Sequence, residues 1–180
     1  HPEEVTLDDL ERFAVYAEQA VFSPALRSHA SVLYTINNDY LNPSFPEAKR
    51  RENAQALFRR FQAPPEPGLP PCAYCGRPSV KAASTSGPGY RDVVPMLTGR
   101  GVLNFFPYGQ HGLPLCGLCD TSLQALPLGA PSTEGRALVV SSDDPSQVVS
   151  LIKSWLPDVR ARVHLSQVTG QKVDTWKSPR

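Results

Sequence analysis

Four residues in this 180-residue sequence have the type and spacing for metal chemistry: Cys72 and Cys75 form one Cys-x-x-Cys pair, Cys116 and Cys119 a second. No other cysteine is present. A Cys-x-x-Cys turn lets two thiolates converge on one ion, and two such turns supply the tetrahedral sulfur shell that Zn²⁺ prefers in closed structural sites. The spacing predicts one structural Zn²⁺. Catalysis at that ion would need an open coordination position and His or carboxylate ligands, which four thiolates do not leave. Two disulfides would satisfy the same arithmetic in a secreted protein, whereas a reducing cytosol favours metal ligation. A redox use of Cys-x-x-Cys would need a thioredoxin-like βαβ context, which the surrounding prolines deny. His111 precedes the second pair, but Gly109, Gly112 and Pro114 around it predict a turn and not a fifth candidate ligand.

Short zinc fingers keep their ligand pairs about 15 to 20 residues apart, and the insertion between Cys75 and Cys116 is about twice that. Such a gap suits a ribbon in which the metal ties the base of a long excursion. Gly76, after the first pair, and Gly117, inside the second, permit the positive φ or close backbone approach that ligand turns require. The excursion interleaves Arg77, Lys81, Arg91 and Arg100 with Tyr90, Asn104, Phe105, Phe106, Tyr108 and Gln110. Cations for phosphate, aromatics for base stacking and amides for base edges fit nucleic acid. The same residues fit a small aromatic core with a solvated rim, and composition does not separate the two.

The elements that must position this segment follow from periodicity. From Thr6 a helix is predicted, with Thr6 as cap, Asp8 and Asp9 in the first turn, an apolar face of Leu10, Phe13, Ala14, Ala17, Ala20 and Val21, and Pro24 as its end. A helix or short strand over Leu26 to Ile36 precedes a polar loop containing Asn37 and Asn38. Pro46 to Phe61 reads as a helix whose Lys49, Arg50, Arg51, Arg59 and Arg60 make it the most basic in the chain, either solvated beside Glu47 and Glu52 or set against phosphate. Gln62 to Pro71 reads as a linker. The 19 prolines cluster in the middle of the chain and predict irregular structure there. Ala137 to Val140 is expected as a buried strand, followed by a helix capped at Ser142, Asp143 or Asp144 that stops at Pro157, then a strand through Val163, Leu165 and Val168. The adjacent aspartates read as caps and not as metal ligands. The fold class is α+β: a helical part over 1–62, an irregular zinc-ribbon-like module over 63–131, and a short strand-helix-strand element with a basic tail over 132–180.

Composition of 41% hydrophobic and 19% charged residues is that of a globular chain. A net charge of +1 means that any nucleic-acid contact must come from local patches. No apolar run approaches the roughly 20 residues of a membrane span, and no secretory signal opens the sequence, so a cytoplasmic protein without a membrane partner is expected.

Five motifs occur in order: Cys-Ala-Tyr-Cys-Gly-Arg (Cys72 to Arg77), Val-Pro-Met-Leu-Thr-Gly (Val94 to Gly99), Asn-Phe-Phe-Pro (Asn104 to Pro107), Gly-Leu-Pro-Leu-Cys-Gly-Leu-Cys (Gly112 to Cys119) and Leu-Gln-Ala-Leu-Pro-Leu-Gly (Leu123 to Gly129). The series resembles the CXXC-CXXC family of large subunits of type I, particularly I-B-like, CRISPR Cascade effector complexes of prokaryotes. The likeness is densest between Cys72 and Gly129. It implies a non-catalytic subunit in antiviral defence that contacts the crRNA 5′ handle and the protospacer-adjacent motif of target duplex DNA, assembles with the other Cascade subunits, and helps recruit a helicase-nuclease. In such systems guide pairing reads sequence while protein reads the short flanking motif. The resemblance implies Cys72, Cys75, Cys116 and Cys119 as zinc ligands. For nucleic-acid contact the residue types suggest Arg77, Lys81, Arg91, Arg100, Asn104, Gln110, Asn37, Asn38, Lys49, Arg50 and Arg51. The chain is shorter than such subunits and begins at His1, and so reads as an N-terminal portion or a short form.

Two other readings stay open. One is a zinc-stabilised nuclease of the HNH or treble-clef kind, with His111 or His164 activating water, although no neighbouring His and carboxylate pattern accompanies either. The other is a zinc module for protein interaction without nucleic acid.

Overall fold

A computed structural model describes residues 5–34, 38–81, 90–96 and 112–174. In chain order the elements are α1 (Leu7–Ala20), α2 (Pro24–Leu33), α3 (Glu47–Phe58), a 3₁₀ turn (Arg60–Gln62), α4 (Gly117–Gln124), α5 (Leu126–Gly129), β1 (Ser132–Thr133), β2 (Arg136–Ala137) and α6 (Pro145–Thr169). Among the described residues the protein is thus helical with one short hairpin, a mixed α+β composition. No helix among the described residues is long and apolar enough to cross a membrane. Two compact units are present, residues 1–18 with 34–125 and residues 19–33 with 126–180.

In the first unit, α1 starts where the sequence predicts. The Asp9 N–H donates to Thr6 Oγ1 at 3.2 Å and the Thr6 N–H donates back to Asp9 Oδ2 at 3.0 Å, a reciprocal cap that satisfies two free helix-end groups. The Thr6 hydroxyl, donating to Asp9 Oδ2 at 2.6 Å, and the Thr6 N–H together hold the Asp9 carboxyl down at about 2. Ala14 and Ala17 are buried, and Phe13 meets Phe58 of α3 edge-on at 6.1 Å between centroids. Tyr40 joins them, 6.2 Å from Phe58 and 5.6 Å from Tyr34. Arg59, at the end of α3, fastens α1 through Glu18 at 2.6 Å and Glu11 at 3.2 Å. The irregular middle predicted from the prolines is observed: between the 3₁₀ turn and α4, the described residues pair only through isolated bridges, Pro65 with Val80 and Val80 with Leu115.

In the second unit, α2 packs on α5, β2 and α6. The hairpin pairs Ser132 with Ala137 and Thr133 with Arg136. Its two-residue loop has positive φ at both Glu134 (49°) and Gly135 (74°), as a tight primed turn requires. Asp144 caps α6 by accepting from the Ser146 N–H at 2.9 Å, and Gly170 at φ 67° closes it. This is the capping role expected for the adjacent aspartates.

Three expectations are corrected. Pro24 does not end α1, which stops at Ala20; it opens α2, where its missing N–H costs nothing. Ala137 to Val140 is not a buried strand: β2 stops at Ala137, and Val139 is 50% exposed. Pro157 does not stop α6, and the segment from Val159 is helix, not strand. A mid-helix proline costs about 3 kcal/mol. Trp155, Val159 and Val163 are buried at helical spacing on either side of it, at about 1.5 to 3 kcal/mol for each apolar side chain, which outweighs the lost bond.

Candidate metal centre

The first ligand pair sits in a tight turn. Gly76 N–H donates to Cys72 O at 2.9 Å and Cys72 N–H to Arg77 O at 2.8 Å, with Gly76 at φ +72°, a conformation costly to any residue with a Cβ. The second pair opens a helix. Cys116 is the N-cap of α4 and its Sγ accepts from the Cys119 N–H at 3.4 Å. Both thiols therefore lie at the end of α4 where the helix dipole favours negative charge. Ala73 N–H to Pro114 O (2.9 Å) and Val80 N–H to Leu115 O (2.8 Å) stitch the two segments together.

The four Sγ atoms lie within 4.8 Å of one another, and Cys75 Sγ is 3.5 Å from Cys116 Sγ. All four thiols are free. A tetrahedral Zn–S shell at 2.3 Å has sulfur–sulfur edges of about 3.8 Å, so the cluster has the dimensions to hold a metal ion. Its electrostatics ask for one. Burial raises the thiols of Cys116 and Cys119, whose anions would face their neighbours. Burial also opposes the Cys72 thiolate, but backbone N–H groups of Cys116, Tyr74 and Cys75 outweigh it and bring that thiol down to about 7. Four adjacent thiolates coexist only when a cation neutralises them.

Beneath the sulfurs is an apolar floor in which Cys72 and Cys116 pack with Leu113, Leu115, Val93 and Val94. Val93 and Val94 belong to the excursion, held in a turn by bonds to Tyr90 O at 3.0 and 2.8 Å. The long insertion is thus anchored at its middle as well as at its ends.

A buried polar network, which sequence reasoning missed, holds α4 in place. Arg60 Nε donates to Asp120 Oδ2 at 3.0 Å, Gln124 Nε2 to Asp120 Oδ1 at 3.0 Å and to Val93 O at 2.6 Å, and Tyr34 OH to Gln124 Oε1 at 2.6 Å. Burial raises the Asp120 carboxyl despite Gln124 and Arg60. Asp120 follows Cys119 and stands four residues before Gln124, a signal for a same-face pair; nothing in the sequence signals Arg60 as their partner. Gly117 is the closest approach in this region. A Cβ there would lie 2.3 Å from Arg60 O and 3.1 Å from Phe61 Cα.

The other predicted site residues fare unevenly. Arg77 and Lys81 are exposed beside the first knuckle; Arg91 is half-buried. On α3, Arg51 pairs with Glu47 at 2.7 Å and Lys49 with Glu52 at 3.0 Å, the solvated arrangement, while Arg50 is half-buried. Asn38 is buried, accepting from the Tyr40 and Leu41 N–H groups and donating to Asp92 O at 2.9 Å, so its amide serves the fold. His164 is exposed on α6. Asn37, Arg100, Asn104, Gln110 and His111 lie outside the described residues. No protein-family model, curated protein or solved structure matches this chain.

Proposed function

We propose that the four cysteines hold one structural Zn²⁺, in a ribbon-like module, and that the chain is a non-catalytic, nucleic-acid-contacting portion of a large subunit of a type I CRISPR Cascade complex. The zinc reading rests on one observation: among the described residues the clustered donor set is four sulfurs, with no His or carboxylate to leave a reactive position open. When bound, the ion would supply charge neutralisation and cross-linking, fixing both ends of the excursion against α4. What supports the Cascade reading is the ordered motif series between and after the cysteines.

The proposed partners are crRNA, target duplex DNA, the other Cascade subunits and a helicase-nuclease, in the cytoplasm of a prokaryote. Arg77 and Lys81 are the leading phosphate contacts, because both are exposed next to the rigid knuckle while the α3 cations Lys49 and Arg51 are paired.

The test is what accompanies and binds the protein. Purified from its host it should carry a small RNA with repeat-derived ends. Changing Arg77 and Lys81 to Ala should weaken handle-RNA or duplex binding uniformly across sequences and lower the log–log salt slope by about one for each lost phosphate contact. Unchanged affinity and slope would favour the protein-interaction module. Guide-independent DNA cleavage with Mg²⁺ that is lost in His111→Ala or His164→Ala would replace this reading with a nuclease.

A further inference from the structure

The four sulfurs are not equivalent. Cys72 and Cys116 are buried and Cys119 is partly so, but Cys75 is exposed. The Cys119 N–H donates to the Cys116 sulfur at 3.4 Å. Hydrogen bonding withdraws electron density from a metal-bound thiolate, and burial denies a reagent its approach. Cys75 is therefore the ligand most open to an approaching reagent. Its Sγ stands 3.5 Å from Cys116 Sγ, on the other knuckle.

We propose that Cys75 is an oxidation site through which a hydroperoxide opens the metal centre, a regulation that rests on the zinc reading above. The Cys75 thiolate attacks one peroxide oxygen; the O–O bond breaks, a sulfenic acid forms, and the second oxygen leaves as hydroxide. Cys116 then attacks the sulfenic sulfur; an S–S bond forms, the S–O bond breaks, and a second hydroxide leaves. The two sulfurs have lost two electrons, the peroxide has gained them, and two protons from solvent convert the hydroxides to water. Zn²⁺, left with two thiolate ligands, dissociates. The new bond takes Cys116 away from its place as metal ligand and N-cap of α4 together, so the cross-link between the ends of the excursion changes from an exchangeable ion to a covalent bridge.

The experiment uses the full chain and hydrogen peroxide. Elemental analysis before oxidant establishes whether zinc is present; a zinc-free chain that folds normally overturns the metal reading, and this proposal with it. With zinc present, limiting peroxide should release the ion to a chromogenic chelator, lower the chain mass by two hydrogens, and give a Cys75–Cys116 cross-linked peptide that a dithiol reverses with zinc uptake. A carbon acid that traps sulfenic groups should label Cys75 first. Cys75→His, which keeps a zinc ligand, should slow release about tenfold, whereas Cys72→His should not. If either variant fails to fold, the wild-type peptide map still decides. A Cys72–Cys75 or Cys116–Cys119 bridge, first label on another cysteine, or zinc release without cysteine oxidation would overturn the assignment.

Discussion

Replacing Gly117 with Ala should loosen the metal centre without touching a ligand. The new Cβ would fall 2.3 Å from Arg60 O, 3.1 Å from Arg60 C and 3.1 Å from Phe61 Cα, all backbone atoms that have no rotamer to change. A comfortable carbon–oxygen contact is about 3.3 Å, so α4 and the 3₁₀ turn must part by roughly 1 Å. That motion is resisted by the Phe61 N–H bond to Thr121 Oγ1 at 2.9 Å and the Arg60–Asp120 pair at 3.0 Å. Overpacking of this kind costs about 1 to 3 kcal/mol, and each strained hydrogen bond adds up to about 1. Alanine recovers at most about 1 kcal/mol in helix propensity, leaving a net loss of about 2 to 4 kcal/mol with both bonds strained. Because α4 carries both Cys116 and Cys119, zinc affinity should fall about tenfold or more, equivalent to at least about 1.4 kcal/mol. Denaturant unfolding of the zinc-loaded chain and a chelator competition measure the two quantities. Gly129→Ala is the control: nothing lies within 4 Å of its Cβ, so it should be neutral or slightly stabilising. A Gly117→Ala chain with wild-type midpoint and affinity would refute the close approach.

Three further outcomes follow from the same contacts. Cys116→Ser should lose zinc, with elemental analysis falling from about one ion per chain toward none, and should broaden the unfolding transition. Asp120→Ala strands the Arg60 guanidinium and the Gln124 amide and should cost about 3 kcal/mol; adding Arg60→Met should recover part of it, giving a coupling above about 1 kcal/mol in a double-mutant cycle. Burial holds His29 below the usual histidine range, its Nε2 donates to Ala130 O at 2.8 Å, and Nδ1 has no partner among the described residues. The folded state therefore resists protonation: stability is fully present above about pH 6.5 and is lost as pH falls through the lowered folded value. Urea midpoints should drop more on acidification for the wild type than for His29→Gln, and parallel slopes would sink the assignment.

The metal centre is legible because its signal is local. Two Cys-x-x-Cys pairs mark the four sulfurs that cluster, and the glycines beside them point to the turn at Gly76 and the tight contact at Gly117. Helix starts were equally readable where a cap and first-turn residues coincide, as at Thr6 with Asp9 and at Asp144 with Pro145. What failed is what depends on partners distant in sequence. Val163, Leu165 and Val168 look like strand alternation, and only the burial of Trp155, Val159, Val163 and Ser166 at helical spacing shows the helix. Pro157 looks like a stop because the packing that overrides it is invisible in sequence. Asn38 looks like a surface amide, and only its bond to Asp92, 54 residues away, shows where it is spent. Arg60 reads as one of several surface cations, yet its partner Asp120 lies 60 residues downstream.

The second unit is assembled from two stretches of chain, and this has a consequence for synthesis. α2 leaves the ribosome well before the residues that bury it: His29 waits for Ala130, 101 positions on, and the Ala25 N–H for Ser166, 141 positions on. Until then Leu26, Ala30 and Leu33 have no cover from their own unit. A shortened chain ending after α4 would keep the metal ligands and strand that apolar helix, a sticky stub that chaperones or proteases would recognise. Removing the α2 segment along with residues 126–180 would make the cleaner cut.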